Sequence, residues 1–242
     1  MSKTPLLLLP GLLCDEALWA GQIDGLSDVA EPIVADLTHH DHITGMAMAA
    51  LASITAPRFA LAGLSMGGYV AQEIMRLAPH RVDRLALLDT THLRDTPEGK
   101  QRRRDLITLA SQGDFKGVTP RLLPLFIHPD RMNDAPLVDA ITVMTHRVGK
   151  EAFLRQQTAI LGRPDGTWDL ERIQCRTLVL CGRYDALTPL DVHVEMANHI
   201  PKVRLDVIED SGHLPTMERP QAVNDSLRRW LTAETWTREI AP

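Results

Sequence analysis

The chain has 242 residues, of which 44% are hydrophobic and 24% charged, and a net charge of −5; this length fits one α/β unit carrying an insertion and is enough to bury a sizeable core. The acidic balance argues against nucleic acid as the main partner, because phosphate neutralisation needs concentrated Lys and Arg, and no apolar run approaches the ~20 residues that cross a bilayer. Three cysteines, Cys14, Cys175 and Cys181, are odd in number and lack disulfide or metal spacing, which fits a reducing compartment, so the protein is expected to be soluble and cytoplasmic.

Strand and helix alternate along the chain. Residues 6–9 are four leucines between Pro5 and Pro10; the run is too short for a secretion signal, has no small-residue cleavage site after it, and reads as a buried strand. It ends in Pro10-Gly11-Leu12-Leu13. A helix is predicted to begin over 15–20 with Leu18 and Trp19 inward, then a strand at about 32–35, then a helix over 46–53 capped by Thr44. Residues 59–63 form the next apolar run, followed by Gly63-Leu64-Ser65-Met66-Gly67-Gly68. After it Val70, Ala71, Ile74, Leu77 and Ala78 recur at helical spacing. This is strand, tight turn, helix, and Ser65 sits at the turn. Residues 84–89 are the following strand. The strands are continuous rather than alternating apolar runs, as expected of a parallel sheet covered on both faces.

Between 95 and 165 the regularity changes. Prolines at 97, 120, 124, 129, 136 and 164 break it into short helical patterns, roughly 99–111, 118–126, 136–148 and 150–161, and the segment reads as an insertion between core segments 1–94 and 166–242. Its apolar stripes pack on the main domain, leaving a minority of side chains to line a pocket. Arg102 to Arg104, with Glu98 and Asp105 nearby, read as a solvated helix face rather than a binding patch. The sheet resumes at 177–181 and continues into Gly182-Arg183-Tyr184-Asp185. Thr188-Pro189 is predicted to open a helix reaching about 199. The last strand is 203–208, Asp210-Ser211-Gly212-His213 is a loop, and 219–231 is a closing amphipathic helix.

A serine hydroxyl is a poor nucleophile near neutral pH and needs a base within hydrogen-bond reach and a third group to orient that base. Ser65, Asp185 and His213 each follow a predicted strand, and catalytic groups of open α/β sheets gather at the carboxyl ends of strands. Asp185 has a duller reading as a loop acid capping the helix near Thr188, and Asp89, after the 84–88 run, is the competing acid. Among the other histidines, His39, His40, His42 and His80 fall in surface segments and His128 and His146 in the insertion. His92 also follows a strand, but it precedes Asp185, the wrong chain order for a serine–acid–histidine arrangement. Charge developing on a substrate carbonyl oxygen requires two backbone amides: Met66, after the nucleophile, and Leu12, in the turn where Gly11 permits close approach.

Leu9-Pro10-Gly11, the Gly63–Gly67 elbow, Gly182-x-x-Asp185 and Gly212-His213 together resemble the α/β-hydrolase superfamily over nearly the whole chain. The resemblance implies Ser65 as nucleophile, His213 as general base, Asp185 as orienting acid and residues 95–165 as a helical cap. Members usually carry a pair of strands before the oxyanion-turn strand, so a mostly parallel sheet of about six strands without that pair is expected. Many members place His before the glycine of the oxyanion turn, where this chain has Pro10. A serine at position 65 excludes a haloalkane dehalogenase-like mechanism, which needs an aspartate there. The leading expectation is a carboxyl-ester hydrolase for small or medium, largely apolar substrates, with Leu125, Phe126, Ile127 and Met144 lining the pocket. A lactonase, a carbon–carbon bond hydrolase or a cofactor-free perhydrolase would use the same triad, and a non-catalytic small-molecule receptor of this fold is the alternative from another class. The expected partner is a small-molecule ester or lactone, with no metal, cofactor, nucleic acid or membrane.

Overall fold

The computed structural model describes residues 3–113, 115–119 and 121–240. Seven parallel strands form one sheet: β1 (Thr4–Leu9), β2 (Ala30–Val34), β3 (Phe59–Leu64), β4 (Val82–Leu88), β5 (Arg176–Gly182), β6 (Val203–Ile208) and β7 (Glu239–Ile240), in the order β2-β1-β3-β4-β5-β6-β7. The helices are α1 (Ala20–Gly25), α2 (Ile43–Ser53), α3 (Met66–Leu77), α4 (Pro97–Gln112), α5 (Ala135–Leu161), α6 (Thr167–Leu170), α7 (Leu190–His199), α8 (Pro215–Glu218) and α9 (Pro220–Thr232). The sheet is thus an α/β sheet flanked by helices, as the sequence pattern requires. Six strands fall where the apolar runs predict them. The seventh, β7, is two residues on the outer edge of β6, too short to leave a period in the sequence. It is held by Arg204, which pairs with Glu239 and lies over the Trp236 ring at 5.4 Å.

Alternate residues of each strand face opposite sides of the sheet, and this splits the core in two. Leu7, Leu9, Leu61, Leu85, Leu87 and Val179 pack with α2, α3 and α7 on one face. Leu6, Leu8, Ala60, Ala62, Leu178 and Leu180 pack with Leu18, Trp19, Val223 and Trp230 on the other. Small residues recur on β3, where Gly63 and Gly67 meet at the elbow: a Cβ on Gly63 would overlap the Gly67 carbonyl, and one on Gly67 the Leu9 carbonyl. That is the reason α3 can start directly above β3 and beside β1.

Several expected details differ. The helix predicted over 118–126 is instead irregular chain with a 3-10 turn at Leu123–Leu125; Pro124 has no N–H to extend the turn, and Pro120 lies outside the described residues. The helices predicted over 136–148 and 150–161 run together as α5, kinked at Gly149, whose φ of 81° and ψ of 178° suit glycine alone. Thr44 does not cap α2: His42 holds the cap position, and the Thr44 hydroxyl donates to Glu73 Oε1 on α3 at 2.6 Å. Thr188 likewise does not cap α7, which begins after Pro189. Of the three arginines read as a solvated face, Arg102 and Arg104 are exposed, whereas Arg103 reaches inward to Asp95 and Gln157. No helix among the described residues is long and apolar enough to cross a membrane.

Candidate active site

The site grows from the strand ends. The ladder continues one step beyond the strands: Ser65 N–H donates to Leu88 O at 3.0 Å, Asp89 N–H to Leu180 O at 2.9 Å, and Arg183 N–H to Ile208 O at 2.9 Å. The loops after β3, β4, β5 and β6 therefore start in fixed register. Every described non-glycine residue with positive φ lies at this edge: Leu13 (60°), Ser65 (54°), Asp89 (42°) and Asp210 (52°). Backbone of this kind persists only where surrounding contacts over-determine it.

Ser65 is fixed from below. Its carbonyl accepts the Thr90 hydroxyl at 2.8 Å and the Gly68 N–H at 2.9 Å. Thr90 is itself held by its N–H to His193 Nε2 at 3.0 Å, and His193 Nδ1 lies 3.1 Å from Pro189 O. Since Nε2 accepts, Nδ1 carries the proton. Burial pushes this imidazole down to about 4, so it is neutral near pH 7. Above this support, Ser65 Oγ lies 2.9 Å from His213 Nε2, and His213 Nδ1 lies 2.8 Å from Asp185 Oδ2. His213 and Asp185 are both buried.

Asp185 accepts three further hydrogen bonds, from Leu187 N at 2.8 Å, Thr188 N at 3.1 Å and Thr188 Oγ1 at 2.5 Å. Burial alone would push its carboxyl up; the charge and hydrogen bond of His213 and the Thr188 donors outweigh it and hold the group down at about 2. This is what became of the expected Thr188 cap: its hydroxyl serves the acid rather than the helix. Asp185 and His213 meet because a Cβ at Gly182 would overlap the Gly212 carbonyl, so the loops after β5 and β6 touch.

Glu218 carries a role the sequence reading missed. Its Oε1 accepts Gly212 N–H at 2.8 Å and Ser211 Oγ at 3.1 Å, and its Oε2 accepts His128 N–H at 2.6 Å. One buried carboxylate thus ties the His213 loop to the segment after Leu125. Burial pushes its own carboxyl up against these donors. The short helix α8 that presents it follows His213 by only a few residues, a spacing that carries no signal without the fold.

On the opposite side, Gly11 approaches Ser65 closely enough that an added Cβ would lie 3.4 Å from the Ser65 Cβ. Gly11 O accepts Cys14 N–H at 3.1 Å, closing the turn that contains Leu12 and Leu13. Gln156 of α5 pins this turn, accepting Leu13 N–H at 3.0 Å and donating to Leu37 O at 3.2 Å. Met66 is the first residue of α3, where helix geometry leaves N–H groups without intrahelical partners.

The four predicted pocket residues separate. Phe126 packs edge-on to the His213 ring at 6.2 Å between centroids, and its carbonyl accepts His213 N–H at 2.9 Å. Ile127 is buried against Gly212. Met144 is fully buried in the core that continues from the sheet, and Leu125 is 40% exposed. A separate apolar cluster, missed from sequence, covers the Leu12–Leu13 turn: Ala110, Phe115, Val148 and Phe153 from the 95–165 segment. Beside it lies a cavity of about 340 Å³ lined by Pro10, Cys14, Leu37, Arg147 and Val148 among others, with none of the four predicted residues.

Asp89, Asp185 and His213 are the one group of potential metal ligands brought together among the described residues. Their atoms are largely engaged already, Asp185 by four donors and Asp89 Oδ1 by Gly182 N–H at 2.8 Å. The chemistry available is that of a hydroxyl, an imidazole and a carboxylate in line.

Residues 36–220 match the family model of the alpha/beta hydrolase fold. The chain belongs to that family and is an α/β-hydrolase. An esterase from Thermogutta terrifontis, solved with malate bound, is 32% identical, with a TM-score of 0.88 over 95% of this chain and 90% of that one. The pimeloyl-[acyl-carrier protein] methyl ester esterase of Nitrosomonas europaea is 25% identical over 89% of this chain and 91% of its own length. The dihydrolipoyllysine-residue acetyltransferase component of the acetoin cleaving system of Pseudomonas putida is 26% identical over 94% of this chain, which spans 63% of that protein.

Proposed function

We propose that this protein is a serine hydrolase that cleaves carboxylic esters of small or medium, largely apolar substrates through an acyl-enzyme on Ser65. The observation that carries the reading is the line Ser65 Oγ, His213 Nε2, His213 Nδ1, Asp185 Oδ2, with hydrogen-bond separations of 2.9 and 2.8 Å, at the carboxyl edge of the sheet. Similarity to two proteins named as esterases supports the bond type.

In this mechanism His213 Nε2 takes the Ser65 proton as Oγ attacks the ester carbonyl carbon. Asp185, ionised, stabilises the imidazolium through Nδ1–H. The N–H groups of Leu12 and Met66 receive the oxyanion. The tetrahedral intermediate collapses, His213 returns the proton to the departing alcohol, and Ser65 keeps the acyl group as an ester. Water then attacks the acyl carbon with His213 again accepting the proton, which releases the acid and restores Ser65. Residues 95–165 act as a cap: Phe126 against His213 and the Ala110, Phe115, Val148 and Phe153 cluster over the oxyanion turn give it an apolar underside, which favours an uncharged acyl or alcohol group.

A fluorophosphonate probe tests the reading. Wild-type protein is expected to be labelled on Ser65 and to hydrolyse short-chain nitrophenyl esters, and Ser65→Ala to do neither. Wild-type protein that takes no label and cleaves no ester across a panel of acyl lengths overturns it.

A further inference from the structure

The mechanism leaves one buried acid without a part. Asp89 follows β4 directly, has no exposed surface, and sits at positive φ. Its neighbours over-determine that backbone: Asp89 N–H donates to Leu180 O, and the next residue, Thr90, donates its N–H to His193 Nε2. Asp89 Oδ1 accepts the Gly182 N–H at 2.8 Å. Oδ2 is buried and receives no hydrogen bond. Ligand atoms of Asp89, Asp185 and His213 all lie within 4.8 Å of one another.

Two carboxyl groups this close and out of water do not both ionise. Which one holds the charge follows from the donors around each. Asp185 accepts from Leu187 N, Thr188 N, Thr188 Oγ1 and His213 Nδ1, whereas Asp89 accepts only from Gly182 N. The charge belongs on Asp185 and a proton on Asp89. Oδ1 is engaged as an acceptor, so the proton sits on Oδ2.

We propose that Asp89 is a positioning residue of the triad: as a neutral carboxylic acid it donates a hydrogen bond from Oδ2 to Asp185 and so orients the carboxylate that holds His213. The proposal rests on the reading of Ser65, His213 and Asp185 as a working triad. The proton stays on Asp89 throughout turnover. Burial and the Asp185 charge push the Asp89 carboxyl well above the usual range, and the charge of Glu218 adds in the same direction. Of the other titratable groups packed around it, His193 is neutral near pH 7, burial pushes the Cys181 thiol far up, and His213 is engaged through Nδ1 by Asp185 rather than by Asp89. An isolated carboxylate at this position would lack the donors that buried charges need. A carboxylic acid there instead satisfies the orphaned oxygen and gives Asp185 one more donor.

Infrared spectra of protein carrying carbon-13-labelled aspartate read Asp89 at pH 7 with no substrate. The carbonyl stretch of a neutral carboxylic acid is expected in the wild type and is lost in Asp89→Asn; wild-type protein without that band overturns the proposal. With an ester substrate, Asp89→Ala is expected to lower kcat roughly tenfold or more with little change in KM. It also concentrates the Asp185 charge toward His213, which moves the acid limb of kcat/KM to higher pH. Asp89→Asn still donates to Asp185 and accepts from Gly182, so it is expected to rescue most of the loss and return the limb toward its wild-type position. Were Asp89 ionised, either substitution would remove a negative charge beside His213 and move the limb to lower pH, which overturns the proposal even when Asp89→Asn is the only variant that folds. An infrared band in a protein that hydrolyses no ester supports the proton on Asp89 and sinks the functional reading instead.

Discussion

Each residue of the proposed triad is held from more than one side. Ser65 stands at a φ of 54° because Leu88 O and the Thr90 hydroxyl grip its two peptide groups. His213 is fixed at its backbone by Phe126 O and at its ring by Asp185. Asp185 is held by donors from Leu187, Thr188 and His213. Removing any member leaves the others positioned without a partner, so the losses act as a unit. His213→Ala is expected to lower kcat by about 10⁴-fold or more, and Asp185→Asn, which presents the wrong hydrogen-bonding pattern to Nδ1–H, by about 10⁴-fold. Steady-state kinetics on one nitrophenyl ester checks both. Activity near the wild-type level in either variant moves that role to another residue.

At the scale of elements, the loops after β5 and β6 and the segment after Leu125 are joined through Glu218. Its carboxylate accepts from Gly212, Ser211 and His128, so it ties the His213 loop to the 95–165 segment. Glu218→Gln keeps the size but turns an N–H₂ toward backbone donors. That substitution is expected to destabilise the fold by about 1–3 kcal/mol and to lower kcat by loosening the His213 loop; thermal unfolding and kinetics measured on the same preparation check the two effects. The kink in α5 shows how a local signal carries a tertiary consequence. The helical stretches expected over 136–148 and 150–161 meet at Gly149, and the kink there lets the second half of α5 bring Phe153 and Gln156 down onto the Leu12–Leu13 turn. The 118–126 stretch shows the reverse: its apolar residues predict a helix, but Pro124 and the demand for Leu123 and Ile127 to enter the core leave only a 3-10 turn.

For the molecule as a whole, buried ionisable groups near the strand ends shape the dependence of stability on pH. Burial pushes His193 from 6.5 down to about 4. The unfolded chain therefore binds a proton in that window that the folded chain refuses, and stability falls as pH drops from 6.5 towards 4, by on the order of 3 kcal/mol in total. Asp185, held at about 2, adds a second loss as pH falls below its ordinary value of 3.8. Asp89 and Glu218 act in the other direction: each keeps its proton above the ordinary carboxyl range, so the folded state binds more protons than the unfolded one and stability declines as pH rises. Urea unfolding across pH is expected to show the first slope in the wild type and to lose it in His193→Asn. A slope that survives in that variant assigns the acid-side titration to another group.

The sequence by itself determined the six principal strands, the elbow around Ser65 and the chain order of serine, acid and histidine. These are local facts: continuous apolar runs mark strands covered on both faces, and glycines mark the places where backbones touch. It also preferred Asp185 to Asp89 as the acid of the proposed triad. Tertiary structure alone shows how many donors converge on each carboxyl, from Leu187, Thr188 and His213 on one side and Gly182 on the other. It alone brought Glu218 under Gly212, Gln156 onto Leu13 and Phe153 over the Leu12–Leu13 turn, at separations in sequence that no local period reports. Burial has the same origin. A carboxyl keeps or loses its proton according to the water and charges around it, and that surrounding exists only once the strands have placed their carboxyl ends along one edge.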